Sequence, residues 1–191
     1  MAVDAYFIQY KFIIPKSLSR SSYTYQKLFR ALYGYTQAVY KSSGKSYRYH
    51  RKGILSDVPF LRPSKNSVIV PKDALQKLIN FFNTGENPAH RWTRKGEWKA
   101  VYYMNEKKLS EETVAKAVEN MIEKQWVDVG DEKRPLVEEL ANIAAGKGET
   151  PYKQQILAQC KRIFSHEWFL KGQPYSEKLT NLKKLYDSIK A

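Results

Sequence analysis

Residues 5–14 alternate well, with Tyr6, Ile8, Tyr10, Phe12 and Ile14 on one side and Phe7, Gln9, Lys11 and Ile13 on the other. A period of two over ten residues, closed by Pro15, predicts a strand with one face in a core. The Ser-rich link 17–22 then offers N-cap residues for a helix at about 23–33. Tyr25, Leu28, Phe29 and Leu32 fall at i, i+3, i+4 and i+7, and Gly34 stands where a glycine ends a helix. Lys27 and Arg30 lie off that stripe, free to face outwards.

The period returns to two in the next stretch. Tyr35–Lys41 and Ser46–Lys52 flank Ser42-Ser43-Gly44-Lys45, which predicts a hairpin. On its second arm Tyr47 and Tyr49 share one face while Arg48, His50 and Lys52 share the other. That spacing predicts tyrosines packed down and cations directed at a ligand. Helix 23–33 followed by this basic hairpin resembles, over about thirty residues, the helix-then-wing order of winged-helix DNA binders. It departs from that order because a strand precedes the helix where two helices belong. The simpler expectation is a hairpin that extends an α+β sheet and serves as a contact element.

Residues 53–66, punctuated by Pro59 and Pro63, read as a loop. Ser67–Val70 is a short apolar strand, and Pro71 suits the first turn of a helix striped by Leu75, Leu78, Ile79 and Phe82. Residues 83–97 form a candidate mobile basic loop carrying Arg91, Arg94 and Lys95, and Trp98–Met104 a further strand. After residue 105 four amphipathic helices are expected. Ser110 caps the first, with Glu111 and Glu112 in its first turn. Pro135 to about Ala145 is the second. The third opens at Thr150-Pro151 and carries Ile156, Leu157, Cys160, Ile163, Phe164 and Trp168. The fourth opens at Ser176. The fold class expected is α+β: a small mixed or antiparallel sheet with two helices and a basic hairpin over residues 1–104, then a helical packing or assembly half over 105–191.

Charge sharpens this division. Residues 1–100 hold 18 basic and 5 acidic side chains, residues 101–191 hold 15 and 14. Within residues 5–56 there are ten Lys or Arg, nine of the chain's fourteen tyrosines, and no Asp or Glu. Ordinary surfaces intersperse signs, so an acid-free stretch of this length points to a polyanion partner. The residues assigned to contact it are Lys27, Arg30, Lys41, Lys45, Tyr47, Arg48, His50, Arg51, Lys52, Arg91, Arg94 and Lys95, with Tyr as a stacking surface. The expected function is non-enzymatic nucleic-acid binding, DNA or RNA. A structural subunit of a nucleoprotein assembly, with a protein partner or self-association through the helical half, is the other non-enzymatic class.

Enzymatic motifs are sparse. Glu97-Trp98-Lys99 matches the E-x-K half of the PD-(D/E)xK nuclease pattern, with Asp57 or Asp73 as a second ligand for Mg²⁺. Only five acids occur in the first hundred residues, and the cations at 91, 94 and 95 oppose a divalent ion there, so no metal or other cofactor is expected. His50, His90 and His166 lack metal-ligand spacing. Phosphate-loop, dinucleotide and nucleophile-elbow glycine patterns do not occur. One cysteine, Cys160, excludes an internal disulfide. No apolar run approaches the length of a membrane span and no signal peptide is evident. The expected setting is therefore intracellular, cytoplasmic or nucleoid-associated, and not the membrane.

Overall fold

The computed structural model describes residues 2–40, 42, 44, 46–86, 97–147 and 150–190. The fold is α+β, with helices and antiparallel sheets. The chain divides into two compact units, residues 4–107 and residues 1–3 with 108–191.

The first unit is built on strand β1 (Ala2–Ile13). Ile8, Tyr10 and Phe12 are buried as the alternation predicts, and Val3 and Ala5, on the opposite parity, are buried as well. Helix α1 (Tyr23–Tyr33) follows. The Ser22 hydroxyl accepts from Tyr25 N–H, and Gly34, at φ 71°, ends it. Strands β2 (Tyr35–Tyr40) and β3 (Ser46–Arg51) form the hairpin. Strands β4 (Leu61–Ser64) and β5 (Ser67–Val70) lead into helix α2 (Lys72–Thr84), and β6 (Lys99–Ser110) closes the unit.

The sheet order is β4-β5-β1-β6, with β2-β3 a separate two-stranded ribbon. The hairpin therefore does not extend the main sheet. Its β2 arm is exposed from Thr36 onwards, because no second layer covers it among the described residues. Strand β4 falls where a loop was expected. It carries Pro63 at a sheet edge, where a missing N–H costs no ladder bond. Pro71 caps α2 from one position outside the helix instead of opening it.

Aromatic residues fill the core between sheet and helices. Phe12 meets Phe29, Phe81 and Trp98 edge-on at ring distances of 5.4, 6.3 and 5.5 Å. T-shaped contacts of this kind add roughly 0.5–1.5 kcal/mol per pair beyond area burial. The Tyr10 and Tyr33 hydroxyls lie 2.7 Å apart, and the Arg62 guanidinium sits 4.4 Å over the Tyr33 ring. Burial pushes the pKa of both phenols up, so both remain neutral hydrogen-bonding groups at physiological pH.

In the second unit α3 (Glu111–Glu123) is capped by Ser110, as its sequence predicts. A hairpin of β7 (Trp126–Val129) and β8 (Glu132–Pro135), turning at Gly130, was not expected. Helix α4 (Leu136–Ala144) follows. The single third helix expected from the apolar stripe is two, α5 (Thr150–Phe164) and α6 (Glu167–Gly172), because His166 caps the second by accepting Trp168 N–H at Nδ1, 3.0 Å away. Helix α7 (Glu177–Lys190) ends the unit, with Ser176 as its cap. Two buried polar side chains of this unit are paired: Glu139 accepts from Arg134 and Asn142, and Gln125 accepts from Gln159.

Cys160 is buried in α5, and burial pushes its thiol up to about 12. The thiol is held protonated and out of reach of solvent, and both slow its reaction with disulfide reagents. Folded protein is expected to release no chromophore from an aromatic disulfide reagent over hours, and one equivalent at once in denaturant. Rapid reaction of the folded chain would show that Cys160 is accessible.

Candidate nucleic-acid interface

The interface starts on the outward face of α1, where the stripe that buries Leu28 and Leu32 leaves Tyr23, Lys27 and Arg30 outside the core. The Lys27 ammonium lies 4.7 Å from the centre of the exposed Tyr23 ring. The Arg30 guanidinium lies between two rings, 5.7 Å from Tyr23 and 4.8 Å from Tyr35. Each such cation–ring contact contributes about 0.5–1 kcal/mol at an exposed site. The larger consequence is order: Arg30 is held at a defined place while its remaining N–H groups stay available.

Across Gly34 the row continues on the hairpin. Strand register sets Tyr35 opposite Arg51, Thr36 opposite His50, Gln37 opposite Tyr49 and Ala38 opposite Arg48. Opposed residues share a face. One face therefore carries Tyr35, Gln37, Tyr49 and Arg51, and continues from the Arg30 contact. The other carries Thr36, Ala38, Arg48 and His50. On that second face His50 Nδ1 and the Thr36 hydroxyl are 2.8 Å apart, a cross-strand hydrogen bond.

The expectation that the hairpin tyrosines pack down is overturned for Tyr49, which is 42% exposed. The ribbon stands apart from the main sheet, so neither face is a core face. Arg48 and His50 stay on the face opposite Tyr49, as the alternation predicts, while Arg51 shares the face of Tyr49 and Tyr35. Lys52 also differs from expectation. It lies beyond the end of β3 and contacts both carboxylate oxygens of Asp57, at 2.9 and 3.2 Å. Its charge is locally compensated by the first acid after the acid-free stretch, although an exposed pair of this type contributes at most about 1 kcal/mol.

The assigned residues thus separate into groups. Lys27, Arg30 and Arg51 are joined through Tyr23 and Tyr35. Arg48 and His50 occupy the reverse side of the ribbon. Lys52 is paired at the base. Lys41, Lys45, Arg91, Arg94 and Lys95 lie outside the described residues, as does the Tyr47 side chain. Tyr23, Tyr35 and Tyr49 were missed as site residues. The signal available for the first was helical spacing, since Tyr23, Lys27 and Arg30 fall at i, i+4 and i+7.

The base of the ribbon is fixed by backbone. After β3 the chain returns to the end of α1, where Ile54 N–H donates to Ala31 O and Leu55 N–H to Leu32 O, both at 2.9 Å. These bonds satisfy carbonyls that a helix end otherwise leaves open. Gly53 N–H donates to the Ser56 hydroxyl at 2.8 Å.

Among the described residues, the E-x-K pair belongs to no group of potential metal ligands. Trp98 is buried against Phe12 and Phe81, which turns its neighbours Glu97 and Lys99 out to solvent. Asp57 is engaged by Lys52, and Asp73 lies in the first turn of α2, where a carboxylate favours the helix dipole. Among the described residues no group of three or more His, Cys, Asp or Glu could hold a metal ion, and no helix is long and apolar enough to cross a membrane. Compared with protein-family models, curated proteins and solved structures, the chain matches none.

Proposed function

We propose that this chain binds nucleic acid without turning it over, and that its ligand is single-stranded. The observation that carries the reading is the row Lys27–Tyr23–Arg30–Tyr35 on α1 and β2, continued by Arg51 and Tyr49. Cations at this spacing track phosphates, and exposed rings between them offer stacking faces to bases. A duplex keeps its base faces covered, so the rings gain nothing from it, whereas a single strand can use both components. Such a protein works where its nucleic acid is, in the cytoplasm or on the nucleoid.

Competition is the direct test. With a labelled single strand bound, unlabelled single-stranded DNA and RNA are expected to displace it at much lower concentration than duplexes of the same length. If the three cations of the row each neutralise one phosphate, log affinity falls with log salt at a slope of about −2, or about twentyfold between 50 and 200 mM. A flat salt response, or equal competition by duplex, would defeat the reading. A second expectation concerns catalysis. Incubation of labelled DNA or RNA with the chain and Mg²⁺ or Mn²⁺ should leave the substrate intact. Cleavage that requires the metal and disappears in Glu97→Ala would overturn it.

A further inference from the structure

Strand β6 (Lys99–Ser110) is an edge of the four-stranded sheet, and among the described residues no strand lies on its outer side. An edge strand presents a row of backbone donors and acceptors, and natural edges are usually short or charged to prevent pairing. This one is twelve residues long. Its central residues 100–105, Ala-Val-Tyr-Tyr-Met-Asn, carry no charge in a chain of net charge +14. Both faces are exposed as well: Val101 and Tyr103 on one, at 51% and 62%, Tyr102 and Met104 on the other, at 36% and 39%. Tyr102 is partly held by stacking on Phe82, 5.2 Å between rings, so that its edge is presented in one orientation.

We propose that β6 pairs with β6 of a second copy, antiparallel, about a two-fold axis through Tyr102. The occupant and the register follow from the sequence of the strand. In an antiparallel pair opposed residues share a face, so a two-fold between identical strands must pass through a residue. With the axis at Tyr102, Val101 opposes Tyr103 on one face, while Ala100 opposes Met104 and Tyr102 opposes itself on the other. Lys99, the first residue of the strand, then opposes Asn105, and Glu97, two residues before it, comes level with Lys107. Every exposed apolar residue of the strand meets an apolar one, and no like charges are opposed. Moving the axis to Tyr103 sets Lys99 against Lys107, and moving it to Val101 sets Lys99 against Tyr103. Two copies of a strongly basic chain repel, and this strand offers them a neutral centre in a register that opposes no like charges. The contact is an edge-to-edge ladder of modest area, so the dimer is weak, with micromolar dissociation. This inference goes beyond the nucleic-acid reading and does not depend on it.

The test is sedimentation of nuclease-treated protein in high salt, from low to high micromolar concentration, which removes bridging by nucleic acid and screens repulsion. A concentration-dependent monomer–dimer equilibrium is expected. Val101→Lys or Tyr103→Lys places a cation against the apolar partner and should weaken the dimer about tenfold or more, with an unchanged circular dichroism spectrum. Register is read by cross-linking. In the proposed dimer the two Cα atoms at position 102 are about 5 Å apart, within disulfide reach. The two at 104 are offset by four residues, about 14 Å, and are not. Tyr102→Cys should form an intermolecular disulfide on mild oxidation and Met104→Cys should not. A monomer at all concentrations would overturn the proposal. So would a dimer indifferent to both Lys substitutions, open-ended oligomers, or cross-linking at 104 in place of 102.

Discussion

Reversal of Arg30 and Arg51 together, as Arg30→Glu and Arg51→Glu, is expected to lower single-strand affinity at least about a hundredfold. Two charge-assisted hydrogen bonds to phosphate are lost, at about 1.5–3 kcal/mol each, and two repulsive charges replace them. Arg30 lies in the last turn of α1, where a cation suits the helix dipole, so the reversal also carries a small stability cost. The milder pair Arg30→Gln and Arg51→Gln separates the two effects. It keeps length and polarity, and should reduce the salt slope by about 1.4, or 0.7 for each phosphate no longer neutralised on a single strand. Lys153→Glu with Lys184→Glu, both in the second unit and outside the acid-free stretch, is the matched control for net charge. Near-equal losses from the site pair and the control pair would mean that affinity follows total charge and that the row on α1 and β2 has no particular role.

Much of the first unit was legible because its elements obey a single period each. Strand β1 and helix α1 fall within a few residues of the positions their alternation and stripe predict; Gly34 ends α1 as expected, and its N-cap, Ser22, comes from the Ser-rich link. What escaped was short or lay at an edge. β4 has one half-buried residue and a proline, so no alternation exists to be found. β7 and β8 are four residues each. Their signal was the Gly130-Asp131 pair between Val127-Asp128-Val129 and Glu132-Lys133-Arg134, a recognised hairpin turn outweighed by the helical pattern around it. The apolar stripe runs unbroken from Ile156 to Trp168, and only the capping geometry of His166 reveals that two helices share it.

The candidate interface was legible as a composition and not as a surface. Ten cations without an acid located it within residues 5–56. Which tyrosine serves which cation depended on contacts that cross the end of α1. Arg30 reaches Tyr35 only because Gly34 turns the chain sharply between helix and strand. Sequence spacing assigned Tyr49 to a core face, an inference that required a layer beneath the hairpin, and the ribbon stands apart from the main sheet.

That sharp turn is the basis of a large stability effect expected from Gly53→Ala. At the base of the ribbon the segment leaving β3 crosses the end of α1 backbone to backbone. A Cβ on Gly53 would lie 2.3 Å from Gly34 N and 2.7 Å from the carbonyl carbon and oxygen of Leu32. All three are main-chain atoms, so no side chain can rotate away. The two strands of chain must separate, and the hydrogen bonds from Ile54 and Leu55 to the last carbonyls of α1 are lost with the movement. Overpacking of this kind, with two buried bonds disturbed, should cost about 3 kcal/mol, or about 6–12 °C in Tm for a chain of this length. Single-strand affinity should fall as well, because Arg30 and Arg51 would no longer face the same side. Gly44→Ala is the informative contrast. Gly44 has φ 76°, so alanine is strained there too, but no atom lies within 4 Å of the added Cβ. Its cost is the left-handed conformation alone, about 1–2 kcal/mol, and the base of the ribbon is untouched. Thermal unfolding and single-strand titration of both variants check the argument. If Gly53→Ala were no worse than Gly44→Ala in either measurement, the close crossing of Gly34 and Gly53 would not be what orients the hairpin on α1.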